Sequence, residues 1–276
     1  MIRYDSCILD VQAISIIGNV VFIIEGFVIL LIGLFSGAYG IVVGAGGGFI
    51  LVPALLLIMH MSPTVAAGTG LVVVMINTIS GVYGFIKQKR IAYELTLYIV
   101  LGAFPGSFIG IKLANILAPE VFYGAFAIML ILLGLFLFWK NTGNKSETSA
   151  GAKTQKPLSL QRKVSLILVG IVMGVVSTFF GIGGGWLMVP ILIYLYRVAP
   201  HRATATSVFA LSLYSIIGVM LHVYNGHVDW SAAVWGGVGA LLGAQIGVFI
   251  SNRMSGKLIV QLLSILLFVI GVRMLI

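Results

Sequence analysis

Eight stretches of this chain run for about 18 residues or more with almost no charge. They are 26–43, 64–86, 95–114, 119–139, 163–180, 203–223, 231–251 and 257–275. Each is long enough to cross the ~30 Å hydrocarbon core of a bilayer as a helix. Membrane strands would alternate apolar and polar residues, and these stretches are continuous. Composition closes off the water-soluble alternative, since 60% of residues are hydrophobic and 8% charged, against about 25% charged in a soluble domain. The prediction is an all-α, polytopic membrane protein.

The net charge of +9 does not point to nucleic acid. The basic residues cluster between the apolar runs, where the positive-inside rule accounts for them. Cys7 is the single cysteine, so no internal disulfide forms and the redox compartment stays open. Residues 1–25 carry Arg3, then Asp5 and Asp10, with no small-residue cleavage site, which disfavours a cleaved signal peptide. The apolar part, "CILDVQAISIIGNVVFII" (7–24), is interrupted by Asp10, Gln12 and Asn19. An interfacial helix leading into the first span is expected there.

Two short motifs organise the rest. "VVGAGGGFILVP" (42–53) and "FFGIGGGWLMVP" (179–190) place glycines and a proline at the same spacing, 137 residues apart between Gly44 and Gly181. The offset continues through Gly33 and Gly170, Gly37 and Gly174, Pro53 and Pro190, Pro63 and Pro200, Thr69 and Thr206, and Gly81 and Gly218. It also relates Gly102, Gly106 and Gly110 to Gly239, Gly243 and Gly247. Residues 26–139 and 163–276 therefore read as two copies of one unit. The polar segment 140–162 joins them as a linker, with basic Lys140, Lys145, Lys153, Lys156, Arg162 and the adjoining Lys163 against Glu147. Such charge is expected on the cytoplasmic side.

Equivalent loops differ in charge. "KQKR" (87–90) is basic, while its counterpart "VYNGHVD" (223–229) has no Lys or Arg. Arg197, His201 and Arg202 mark a basic turn, while its counterpart "HMSP" (60–63) has neither Lys nor Arg. Equivalent loops then lie on opposite sides, which makes the copies inverted-topology repeats. About five apolar segments per copy satisfy this, counting the short runs 49–60 and 186–196. Inverted repeats are a recurring plan of secondary transporters, with the substrate near the midplane.

The short runs reach only about 18 Å as helices, so they read as broken or re-entrant elements entered through glycine. Non-helical backbone at membrane depth must be buried in protein or line a cavity. A helix N-terminus offers free amides and partial positive charge to an anion, and glycine lets the ligand approach closely. Gly44, Gly46, Gly47, Gly48, Gly181, Gly183, Gly184 and Gly185 are the candidate substrate residues on this ground. For any single glycine, close helix packing is the competing reading. Packing is preferred for the four-spaced glycines at 102–110 and 239–247. Neither loop completes a dinucleotide fingerprint, because Phe49 and Trp186 stand at the third glycine position, and no Walker lysine follows. No cofactor is called for.

"GAGGGFILVP" and "GIGGGWLMVP", set in two hydrophobic halves around a polar linker, resemble the TauE/SafE family of membrane transport proteins. The resemblance covers the chain beyond residue 25. It implies movement of small sulfur-containing anions, sulfite or organosulfonates, usually out of the cytoplasm of a bacterial or archaeal cell. Carried over, the family motif falls on Gly44, Gly46, Gly47, Gly48 and Pro53, then on Gly181, Gly183, Gly184, Gly185 and Pro190. Partners are then a small anionic substrate and the lipid bilayer, with no nucleic acid; a homo-oligomer is allowed but not required.

Polar groups inside spans are costly and therefore candidates for function. Thr69, Thr206, Ser207, Asn77 and Gln245 are expected to complete the substrate site, with Ser80, Ser212 and Tyr214 also deep in predicted spans. Each hydroxyl has the alternative of bonding its own helix. His222 and His227 flank an outer loop and read as surface or capping groups. No carboxylate sits mid-membrane, so export of an anion driven by voltage alone is the simplest energetic expectation, worth about 2.3 kcal/mol per charge per 100 mV. A channel or facilitator remains the nearest alternative. An intramembrane enzyme lacks a nucleophile–base pair or metal cluster, and a scaffold would not need paired glycine breaks.

Overall fold

The computed structural model describes residues 2–142 and 159–275. They form helices α1 (Ile2–Val43), α2 (Gly48–Leu57), α3 (Pro63–Lys87), α4 (Tyr93–Ile116) and α5 (Pro119–Thr142). After these come α6 (Leu160–Phe180), α7 (Gly185–Tyr194), α8 (Pro200–Tyr224), α9 (Trp230–Ser251) and α10 (Gly256–Leu275). Among the described residues there is no strand. Apolar runs take this form because lipid offers nothing to backbone amides and carbonyls, so each run must satisfy its own. Among the described residues seven helices are long and apolar enough to cross a membrane, and α10 covers the eighth expected run. α1 is unbroken at the expected boundary near residue 25. Most of the expected linker, 143–158, lies outside the described residues.

Local chemistry sets the helix ends. Pro63 and Pro200 open α3 and α8, where a missing amide costs nothing. Asp229 accepts the Ala232 N–H at 3.0 Å and caps α9, and Ser159 accepts the Arg162 N–H to cap α6.

The backbone repeats with the sequence offset. Residues with positive φ are Gly44, Gly46, Gly47, His60 and Lys89 in the first half, and Gly181, Gly183, Gly184, Arg197 and Gly226 in the second. Taken in order, these are five pairs at the same spacing as Gly44 and Gly181. Even non-glycine residues at helix ends keep the left-handed conformation of their counterparts.

Packing crosses between the halves. α1 lies along α9, α4 along α6 and α5 along α10, while α3 and α8 pack on each other near the centre. The contacts are backbone to backbone. A Cβ on Gly102, Gly106 or Gly110 would strike the carbonyls of Ile167, Ile171 and Val175, and one on Gly239, Gly243 or Gly247 those of Leu30, Leu34 and Ala38. Gly170 and Gly174 abut Ile99 and Ala103 in the same way. These glycines are packing residues, and they bring the halves close enough to bury α2 and α7 between them.

Candidate functional site

The two glycine loops are central and fully buried. Past α1 the chain doubles back: the amides of Ala45 and Gly46 both donate to Gly40 O, at 2.8 and 3.1 Å. Gly47, at φ 82°, then starts α2. In the second half Gly181 closes α6 in the left-handed region, its amide on Ser177 O at 2.9 Å. Gly184, at φ 57°, starts α7. The first amides to find helical carbonyls are those of Ile50 and Leu51 on Gly47 O, and of Leu187 and Met188 on Gly184 O. The amides before them begin the helices with no carbonyl one turn back, although that of Gly185 donates to Gly183 O at 2.6 Å.

The loops also meet each other. A Cβ on Gly48 would stand 2.7 Å from Ile182 Cα, and one on Gly185 would stand 2.5 Å from Gly44 O. Two short helices from different halves thus begin side by side, with no charged side chain in either loop.

Side chains around the loops hold their carbonyls, two of them as an equivalent pair. Asn77 Nδ2 donates to Gly46 O at 2.9 Å, and Tyr214, its counterpart, donates through its hydroxyl to Gly183 O at 2.8 Å. Ser207 Oγ donates to Gly44 O at 2.8 Å. Asn77 and Ser207 therefore lie beside the glycine loops, their side chains engaged with backbone. Depth alone leaves Tyr214 outside the expected site; its register with Asn77, at the repeat offset of 137 residues, is the signal that places it there.

The hydroxyls of Thr69 and Thr206 bond other loops. Thr69 Oγ1 accepts the Asp229 N–H at 2.9 Å, and Thr206 Oγ1 accepts the Ala92 N–H at 3.0 Å. Both tie the loop before a helix of the opposite half to the core, and Thr206 also donates to Arg202 O. Gln245 is exposed and donates to Ser80 Oγ at 2.7 Å, on the flank of α3 and α9. Ser212 bonds Phe209 O in its own helix. The chain on either side of Thr69 abuts Gly181, through Ala67 and Gly70, and that around Thr206 abuts Gly44, through Thr204 and Ser207, but the hydroxyls of Thr69 and Thr206 and the amide of Gln245 bond elsewhere.

The position of His222 departs from its expected surface role. It is fully buried on α8, with Nε2 2.8 Å from Thr178 O. Its burial depends on α3 and α6, which nothing local in the sequence announces. His227, in the loop before α9, is half-buried, and that burial pushes its ring below the ordinary histidine range. Among the described residues no group of three or more His, Cys, Asp or Glu is placed to hold a metal ion.

Residues 29–274 match the family described as sulfite exporter TauE/SafE. The chain is similar to the probable membrane transporter protein YunE of Bacillus subtilis, 34% identical over 89% of this chain and 96% of that one. It is also similar to the probable membrane transporter protein YjnA of the same organism, 28% identical over 89% and 98% of the two chains. A probable membrane transporter protein of Methanocaldococcus jannaschii is 28% identical over 90% of this chain and 94% of its own. No solved structure matches. The multi-pass helical architecture and the family match agree: this chain belongs to the sulfite exporter TauE/SafE family of integral membrane transporters.

Proposed function

We propose that the chain is a secondary transporter that exports small sulfur-containing anions, sulfite or organosulfonates, and holds them at the paired starts of α2 and α7. One observation carries this reading: two helix N-termini, freed of side chains by glycine, lie against each other at the centre of the bundle. Amides and partial positive ends suit an anion without burying a cation. The repeat would be inverted in the membrane, so the two ends approach the substrate from opposite sides. The hydroxyl and amide groups of Tyr214, Asn77 and Ser207 would fix the loops by holding their carbonyls.

The test is uptake of labelled sulfite and methanesulfonate into proteoliposomes at imposed voltages, with Gly47→Leu and Gly184→Leu alongside the unaltered protein. Saturable flux lost in both variants is the expected result, with Gly184→Leu, whose Cβ meets nothing nearer than 3.1 Å, carrying the test and Gly47→Leu counted only where it elutes as folded protein. Flux retained in both would remove the loops as the site. No flux from folded protein would end the transporter reading for these anions. Counterflow of unlabelled against labelled sulfonate separates a carrier from a channel.

A further inference from the structure

We infer that His222 is a proton-binding site on the path to the glycine loops, so that transport of the anion is linked to a proton. The inference rests on the transporter reading above and supplies a titratable group to spans in which no carboxylate sits mid-membrane. His222 Nε2 faces the Thr178 carbonyl, which only accepts, so Nε2 carries the hydrogen and Nδ1 keeps a lone pair. That Nδ1 has no partner although the residue is 0% exposed.

Its neighbours are likewise unpaired. Thr178 Oγ1 and Ser215 Oγ are buried without a hydrogen-bond partner. Thr178 Oγ1 would lie 2.9 Å from a Cβ on Gly218, and Ser215, Gly218 and His222 share one face of α8. Buried polar atoms are normally paired, and unpaired ones in a membrane interior are especially costly. A line of them leading from near Gly181 to the 225–229 loop fits groups that water or a proton visits.

The other half shows that the fold does not need this line. The counterparts of Thr178 and His222 are Ile41 and Phe85, fully buried in one apolar cluster. The counterpart of Ser215 is Thr78, whose hydroxyl is satisfied by Val74 O at 2.8 Å. One half is dry at these positions and the other is polar. The same frame holds both, so the polar set has a use beyond packing.

Few charges surround the ring. His227 lies with its ring centroid 5.7 Å from that of His222, its own Nδ1 also unpaired. Two rings so close share one proton more readily than they hold two. Asp229, in the same loop, spends a carboxylate oxygen on the Ala232 amide. α3 faces the ring through Gly68 and α6 through Thr178, neither titratable. The ionisable groups of those helices and of α4 lie at the far ends (Lys87, Lys163, Glu94), and Lys112 of α4 is exposed.

The experiment uses the full chain in proteoliposomes at zero voltage with methanesulfonate, which stays ionised throughout, so any pH effect belongs to the protein. Unaltered protein should acidify the lumen as sulfonate enters, with flux changing about tenfold between pH 8 and 4. In His222→Gln and His222→Phe the acidification should vanish and the pH effect shrink below about twofold. Acidification that persists in both variants overturns the proposal. A second readout does not depend on flux: the ring nitrogens of ¹⁵N-histidine-labelled protein, assigned by the same variants. A His222 signal that moves between neutral ring and imidazolium over this range upholds the proton site, even if no tested anion moves and the transporter reading falls. A signal that does not move overturns the site, whatever the flux.

Discussion

At the scale of single residues, equivalent positions in the two halves do not tolerate change equally. A Cβ on Gly47 would stand 2.5 Å from Ser36 O, whereas one on Gly184 would meet nothing nearer than the Tyr214 hydroxyl at 3.1 Å. Both have positive φ, which costs an L-residue about 1–2 kcal/mol. Gly47→Ala should therefore lose markedly more thermal stability in detergent than Gly184→Ala; equal losses would mean that the carbonyl contact is not limiting. Tyr214→Phe keeps the ring and leaves Gly183 O without its donor, at a cost of about 1–3 kcal/mol, visible in the same melting assay. His227 sets a pH dependence. Its pKa is lowered on folding by burial, so the neutral form is favoured, and stability should fall as pH drops from about 6.5 through the lowered value. His227→Gln should flatten that fall in melting curves taken across the range.

At the scale of elements, glycine marks two opposite situations. Gly106 and Gly243 abut the carbonyls of Ile171 and Leu34, so Gly106→Leu or Gly243→Leu should push α4 from α6 or α1 from α9 and abolish folded protein in size-exclusion profiles. Gly124, on α5, has nothing within 4 Å of its built Cβ. Gly124→Ala should be harmless or gain up to about 1 kcal/mol from helix propensity. The four-residue spacing made the first kind legible in the sequence. The glycine breaks were legible too, because a helix of ten residues cannot follow from a long apolar run without one. Partners of the polar side chains were not legible: Thr69 meets Asp229, and His222 meets Thr178 and Gly68, across elements that no local pattern relates. Thr69 and Thr206 suggest themselves by their equivalent positions and hydroxyls and Gln245 by its amide, but neither register nor donor chemistry says which way a side chain points.

At the scale of the whole molecule, the halves are not separable domains. The long pairings α1 with α9, α4 with α6 and α5 with α10 all cross between them. Cutting the chain within 143–158 and expressing both pieces together should restore a folded complex that co-purifies, while either piece alone should be degraded or aggregate. A piece that folds by itself would contradict the interlocked packing.

The glycine-on-carbonyl seams carry a consequence for how this sequence can drift. Every amino acid brings the same carbonyl, so the residue facing each glycine contributes nothing that its identity could spoil. At Ile167, Ile171, Leu30 and Leu34 the contact is made by backbone, leaving those side chains answerable only to lipid and to their other neighbours. Each seam is thus written on one side alone. A saturation scan should find the glycines nearly immutable and the residues opposite them broadly interchangeable among apolar types.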